Sequence, residues 1–219
     1  MGVAMGTAWL RVLLIVGGWA GATVVAAQQA ININAELLAA ARRGNTEMVR
    51  SLLDQGAAIN SRNRLGDTVL LIGIKNGERP LAMLALERGA DVNQRNLAGI
   101  SPLMAAAFNG DAELTRALLE RGADVAPADR VHKTAAIYAA GNGHTEVLRM
   151  LLDRGVAVNQ RYDNDLTALM WAAAYGHDET VRLLLKRGAD PALRDNRGKS
   201  ALDMAAETGH ARTVELLRN

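Results

Sequence analysis

The feature that most constrains the fold of this chain is a pattern that recurs every 33 residues. Two series of glycines keep this spacing, and so does a series of hydroxyl residues. The three series are Gly44, Gly77, Gly110, Gly143, Gly176 and Gly209; Gly56, Gly89, Gly122, Gly155 and Gly188; and Thr68, Ser101, Thr134, Thr167 and Ser200. A strict period of this length is typical of solenoids, in which each unit buries its apolar surface against its neighbours.

Each period contains two segments with helical patterning. Thr134, like the other hydroxyl residues of its series, precedes a run of small and apolar side chains, and its oxygen can cap the free backbone N–H groups of a helix. A second segment, such as TEVLRMLLDRG at 145–155, has apolar residues at i, i+3 and i+4, as in Val147, Met150 and Leu151, and ends at a glycine. We therefore predict that each unit is a helix, a tight turn, a second helix and a connection.

Two longer segments carry a resemblance to a known family. They are SPLMAAAFNGDAELTRALLERGADV at 101–125 and LTALMWAAAYGHDETVRLLLKRGADP at 166–191. With these segments the chain resembles the ankyrin-repeat family. The resemblance implies an all-α repeat solenoid of six stacked ankyrin repeats, with short β-hairpin fingers between units and a concave face made of fingers and first helices. The predicted repeat domain is 34–219, with units one to six at 34–62, 63–95, 96–128, 129–161, 162–194 and 195–219.

The chain departs from the family pattern at two places. The histidine of the family's TPLH motif is replaced in units two to six, and apolar packing is expected to take its place in the middle units. The replacing residues are Leu71, Met104, Ile137, Met170 and Asp203. In units four and five the finger glycine is replaced by His132 and Asp165, two residue types that tolerate the positive φ of such a turn.

The N-terminus has the layout of a secretory signal peptide. Arg11 precedes an apolar run that ends with Val25, Ala26 and Ala27, which favours cleavage before Gln28. Residues 28–33 then form a short lead into the first unit. The alternative is an uncleaved membrane anchor, but the apolar run is short and interrupted by glycines. A periplasmic or secreted location is therefore expected for the mature chain, without a membrane attachment.

Composition narrows the expected partners. The net charge is +2, with 25 basic and 23 acidic residues, so no broad basic surface is available for nucleic acid. There is no cysteine, which removes disulfides, thiolate metal sites and a cysteine nucleophile. We expect a monomer that binds another protein and no nucleic acid.

No metal, cofactor or catalytic site is predicted. His144, His177 and His210 recur every 33 residues. Stacked helices are roughly 8–10 Å apart, which is too far for three such side chains to share one zinc ion. Asp163 and Asp165 lack the remaining ligands of a calcium loop and are expected to face Arg130 and Lys133 of the neighbouring finger. The chain is accordingly predicted not to be an enzyme.

Aromatic residues indicate a binding surface. The segment from Gln28 onwards contains five of them, all in units three to five: Phe108, Tyr138, Tyr162, Trp171 and Tyr175. Four share one face of the first helices, which in the family looks into the concave groove. Phe108 and Tyr175 are predicted to be exposed, whereas Tyr138 and Trp171 fit either the core or the groove. The predicted partner-binding residues are Leu97, Ile100, Phe108, Val131, Tyr138, Leu166, Trp171 and Tyr175.

Two functions follow from these features. The first is a non-catalytic protein–protein interaction module in the bacterial periplasm, binding its partner through the concave face of the ankyrin solenoid. The alternative is a specific inhibitor, immunity or stress-protection protein for a periplasmic toxin or a peroxide-detoxifying enzyme. This alternative is implied by proteins that resemble this architecture, which are found beside peroxide-detoxifying enzymes and as immunity proteins that neutralise a toxin.

Overall fold

The chain folds into six pairs of short helices in the part that the structure, a computed structural model, describes, namely residues 28–29 and 32–218. The helices are α1 (32–42), α2 (Thr46–Asp54), α3 (Val69–Lys75), α4 (Arg79–Glu87), α5 (Pro102–Asn109), α6 (Ala112–Glu120), α7 (Ala135–Gly141), α8 (Thr145–Asp153), α9 (Ala168–Ala174), α10 (Asp178–Lys186), α11 (Ala201–Glu207) and α12 (Ala211–Arg218). The predicted signal peptide, 1–27, lies outside the described residues. None of the described helices is long and apolar enough to cross a membrane.

Odd-numbered helices are the first helices of the units, and even-numbered helices are the second. The first helices from α3 to α11 pack side by side as one layer, and the second helices from α2 to α12 pack as another. The all-helical repeat solenoid predicted from the 33-residue period is thereby confirmed. Helix α1 begins no later than residue 32, so it includes part of the segment 28–33 that was assigned to the lead.

Hydroxyl side chains begin the first helices, as the sequence predicts. In units two to six, the side chain of the Thr or Ser before each first helix accepts a hydrogen bond from the backbone N–H three residues later. The residue that donates this N–H stands at the position where the family has its TPLH histidine. In units two to five the apolar replacements are buried, which confirms that apolar packing substitutes there. In unit six, Asp203 forms a reciprocal capping box with Ser200 instead.

The fingers are turns rather than β-hairpins, since no strand occurs among the described residues. In unit four, two backbone bonds close the finger, from Asp129 N to Lys133 O and from His132 N to Asp129 O, both at 3.0 Å. The Asp129 carboxylate fills the finger interior and accepts from the backbone N–H groups of Val131 and Lys133, both at 2.9 Å. The Asp129 side chain therefore bonds to the backbone within the turn. The two legs of the finger are too short to form a ladder of strand hydrogen bonds. The predicted β-hairpin fingers are corrected on this point.

The fifth finger has a different turn. Tyr162 stands where unit four has Asp129, so no short side chain is available to cap the finger. The segment Asp163–Asp165 forms a 3-10 turn, and Asn164 and Asp165 have φ values of 59° and 58°. His132 in the fourth finger has φ 56°. The positive φ predicted for His132 and Asp165 is confirmed, and Asn164 shares it.

The acids of the fifth finger have other partners than expected. Asp163 Oδ2 lies 2.6 Å from His132 Nδ1, and Asp165 pairs with Arg161 at 3.4 Å. The prediction that they face Arg130 and Lys133 is wrong. The positive φ of His132 turns its side chain towards the next finger, a displacement that residue spacing does not reveal.

The recurring histidines connect neighbouring units. The Nε2–H groups of His144 and His177 donate to the carbonyl oxygens of Phe108 and Gly141, each at 2.9 Å. A carbonyl can only accept, so Nε2 carries the proton in both rings. Each ring also lies directly over the turn glycine of the preceding unit. These residues are thus spread along the solenoid and hold its units in register.

Thr115 gives a test of packing in the second layer. It is fully buried in α6, and its hydroxyl has no hydrogen-bond partner in the described part of the chain. Thr115→Val removes an unsatisfied polar group while keeping the side-chain shape, so it is expected to stabilise the fold by about 1 kcal/mol. The matched control is Thr180→Val. Thr180 is equally buried, but its hydroxyl bonds to that of Thr145 at 2.8 Å, so the control should destabilise. Urea unfolding of both variants measures the difference, and a loss of stability in both would contradict this account.

Candidate functional site

Two large aromatic side chains stand exposed on the layer of first helices. Phe108 lies in the last turn of α5 and is 54% exposed, and Tyr175 caps the end of α9 and is 56% exposed. The residues before them, Ala105 to Ala107 and Ala172 to Ala174, are small. The helices can therefore pack closely, while the ring that follows each alanine run extends beyond the packed layer.

These rings form two aromatic pairs. Phe108 meets Tyr138 edge to face, with ring centroids 5.6 Å apart. Trp171 and Tyr175 are stacked at 6.0 Å, and the ring of His177 stacks on Tyr175 at 6.2 Å. A depression of about 370 Å³ lies between the pairs. Its lining consists of Phe108, Lys133, Ile137, Tyr138, Gly141, Asn142, Trp171, Tyr175 and His177.

Tyr138 and Trp171 serve both the core and the surface. Each is partly buried against the apolar core, and each also lines the central depression. The Tyr138 hydroxyl donates to Asp129 Oδ2, and Asp129 itself is buried. Burial raises the pKa of Tyr138, and the hydrogen bond to the Asp129 carboxylate raises it further. The ring is therefore neutral over the physiological range and is fixed in orientation by the finger.

Lys133 supplies the positive charge of the central depression. Its Nζ lies 4.7 Å from the ring centroid of Trp171 and 5.8 Å from that of Tyr138. Cation–π contacts of this kind position an ammonium group without neutralising it. Lys133 is not among the binding residues predicted from the sequence. Its place directly before the cap Thr134, where units three and five have Ile100 and Leu166, was the available signal.

Two smaller depressions flank the central one. Ile100 lines the first, beside Phe108 and Tyr138, and its volume is about 280 Å³. Leu166 lines the second, beside Trp171 and Tyr175, also with about 280 Å³. We call this row of three depressions the groove. It runs over the first helices of units two to six, and six of the eight predicted binding residues line it: Ile100, Phe108, Tyr138, Leu166, Trp171 and Tyr175.

The other two predicted residues lie on the fingers. Leu97 is 55% exposed and Val131 is 64% exposed, and neither lines the groove. Leu97 borders a separate polar hollow that contains Arg95 and Arg130. Leu65, which is not among the predicted binding residues, is exposed on the preceding finger, and its carbonyl accepts from Leu97 N at 2.9 Å.

Comparison with models of known protein families identifies the family of this chain. The family model for ankyrin repeats, which describes three copies of the repeat, matches the chain in four overlapping ranges: 24–96, 76–162, 103–195 and 154–219. These overlapping matches cover most of the 219 residues. The chain belongs to the ankyrin-repeat family. A search of curated proteins finds no match. Ankyrin repeats generally mediate protein–protein interactions and are typically not enzymatic. In this ankyrin solenoid, the first helices present the groove and its aromatic pairs.

Proposed function

We propose that this ankyrin-repeat protein is a non-catalytic module that binds a partner protein through the groove, on the concave side of its solenoid. The observation that carries the proposal is the exposure of Phe108 and Tyr175, one on each side of the central depression. Aromatic rings left in water at such positions are characteristic of the energetic centres of protein interfaces.

The shape of the groove supports a protein ligand. Its three depressions alternate with aromatic pairs along one line, so successive side chains of a bound segment can enter successive depressions. Phe108 and Tyr138 separate the first from the central one, and Trp171 and Tyr175 separate the central one from the last. Such an interface gains its affinity from burying the rings and its specificity from the depressions between them.

A photo-crosslinking amino acid tests this proposal. Placed at position 108 in the full chain and expressed in the native host, it should give a discrete covalent adduct with another protein after irradiation. The same amino acid at Met48, which is 46% exposed on the second helix of unit one, is the control. Equal adducts at both positions, or an adduct at position 48 alone, would contradict binding through the groove.

We further propose that the mature chain is monomeric and periplasmic or secreted, and carries no membrane anchor. The small-residue end of the N-terminal apolar segment, Val25–Ala26–Ala27, supports this compartment. Intact-mass measurement of exported protein is expected to give a chain that begins at Gln28. Protein that retains Met1 and sediments with membranes would replace this proposal with an anchored form.

A further inference from the structure

Two positions of the repeat face each other beside the groove in units two and six. The first is the residue directly before the hydroxyl cap, and the second lies eight residues later, at or near the end of the first helix. In unit two these residues are Asp67 and Lys75, which form an ion pair at 3.1 Å. In unit six they are Lys199 and Glu207, which pair at 2.6 Å with the charges reversed. The solenoid therefore brings these two positions into ion-pairing distance.

Unit four has only half of this pair. Lys133 occupies the first position, and Gly141 occupies the second. No carboxylate in the described ranges pairs with Lys133 Nζ. The ammonium group instead lies over the rings of Trp171 and Tyr138 and lines the central depression. The acid that the repeat pattern provides in unit six is missing at the middle of the groove.

The buried acid that stands four residues before Lys133, Asp129, already has its own donors. Asp129 Oδ1 accepts from the backbone N–H groups of Val131 and Lys133, and Oδ2 accepts from the Tyr138 hydroxyl. These bonds direct both oxygens into the finger and towards the ring. The charge of the Lys133 side chain is consequently presented to the groove.

We propose that the central depression binds an acidic side chain of the partner protein, while apolar side chains on either side of that acid enter the flanking depressions. This inference rests on the proposed function and specifies the chemistry of the bound segment. The charge complementarity comes from Lys133, and the apolar selectivity comes from Ile100 and Met104 on one side and Leu166 and Met170 on the other.

The surroundings favour a carboxylate on a protein over a phosphate backbone. Nucleic acid binding gains its strength from several cations that contact successive phosphates. In this groove the other cations are engaged: Lys75 pairs with Asp67, and Arg197 pairs with Asp195 at 2.8 Å. A single available ammonium group between apolar depressions suits one Asp or Glu among apolar neighbours.

Gly141 allows the missing acid to be restored. It lies in α7, and an added Cβ would have Trp171 Cε3 as its nearest neighbour at 3.5 Å, which is ordinary contact. Gly141→Glu can therefore reproduce the lysine–glutamate pair of unit six and neutralise Lys133 within the chain. Gly141→Gln has the same shape without the charge and is the matched control.

A random peptide library displayed on phage is the probe. Peptides selected on the wild-type chain are expected to contain Asp or Glu beside Leu, Ile, Phe or Met. Their affinity should fall by about tenfold or more in Gly141→Glu and in Lys133→Gln, as on loss of an interface ion pair, and should change much less in Gly141→Gln. Circular dichroism of each variant checks that the helices are retained.

The outcomes separate this inference from the proposed function. Selected peptides that lack an acidic residue, or that bind the Glu and Gln variants of Gly141 equally, overturn the acidic-segment inference. If those peptides still lose affinity in Phe108→Ala, binding through the groove stands. If no peptide is enriched that depends on Phe108, both the inference and the proposed function are overturned.

Discussion

Replacing Gly110 with alanine is expected to lower the free energy of unfolding by about 3 kcal/mol, through backbone strain and the displacement of a hydrogen-bonded ring. Gly110 caps α5 in the left-handed region, with φ 71°. An added Cβ would lie 2.3 Å from His144 Nδ1, so the ring must move and give up its bond to the Phe108 carbonyl. The expected loss is measured by urea unfolding.

Gly122→Ala is the control for backbone strain alone. Gly122 has φ 80°, but an added Cβ there would meet nothing within 4 Å. The control should therefore cost only about 1 kcal/mol, the usual penalty for a side chain in a left-handed turn. Equal losses in the two variants would show that His144 contributes nothing to the junction between units three and four.

The double change Phe108→Ala and Tyr175→Ala is expected to weaken partner binding by well over tenfold, because buried interface aromatics commonly contribute about 2 kcal/mol or more each. Stability should change little, since both rings are more than half exposed and their removal leaves open surface rather than a cavity. Fully buried rings would instead cost about 3–5 kcal/mol each. Urea midpoints and affinities are measured on the same samples.

Met48→Ala is the matched control for that double change. Met48 is also a large exposed apolar residue, but it lies on α2, away from the groove. Its replacement should leave both affinity and midpoint unchanged. A large fall in the urea midpoint of the double variant, with unchanged affinity of its folded fraction for the partner, would show that Phe108 and Tyr175 stabilise the fold and do not bind the partner.

Features that repeat every 33 residues were predictable from the sequence. The helix pairs, the hydroxyl caps of units two to six and the buried replacements of units two to five, such as Leu71 and Met104, all depend on local spacing that repeats along the chain. The left-handed turn at His132 was also predictable, because only a few residue types tolerate that conformation. A feature that depends on local spacing and repeats along the chain can be predicted for one unit and, in the same way, for the unit packed against it.

Features that depend on how one unit packs against the next could not be predicted from the sequence. The position of Lys133 over Trp171 joins two units, and it depends on the distance between α7 and α9. The contact of His132 Nδ1 with Asp163 Oδ2 joins the fourth and fifth fingers, and the 3-10 turn that contains Asp163 occurs once among the described residues. In the fourth finger, the Asp129 side chain fills the interior of the turn and accepts from two of its backbone N–H groups, in place of strand pairing. The alternation of apolar and polar residues in the sequence does not show that a side chain lies inside the turn.

Fluorescence of Trp171 tests binding in the groove most directly. In a chain that begins at Gln28, Trp9 and Trp19 are absent and Trp171 is the sole tryptophan, on the wall of the central depression. The titrant is the partner protein identified by crosslinking at position 108. Its binding should shift the Trp171 emission to shorter wavelength, because the Trp171 ring loses contact with water. The midpoint of that shift should equal the Kd measured by calorimetry. Saturable binding by calorimetry with unchanged Trp171 emission would contradict the groove as the binding site.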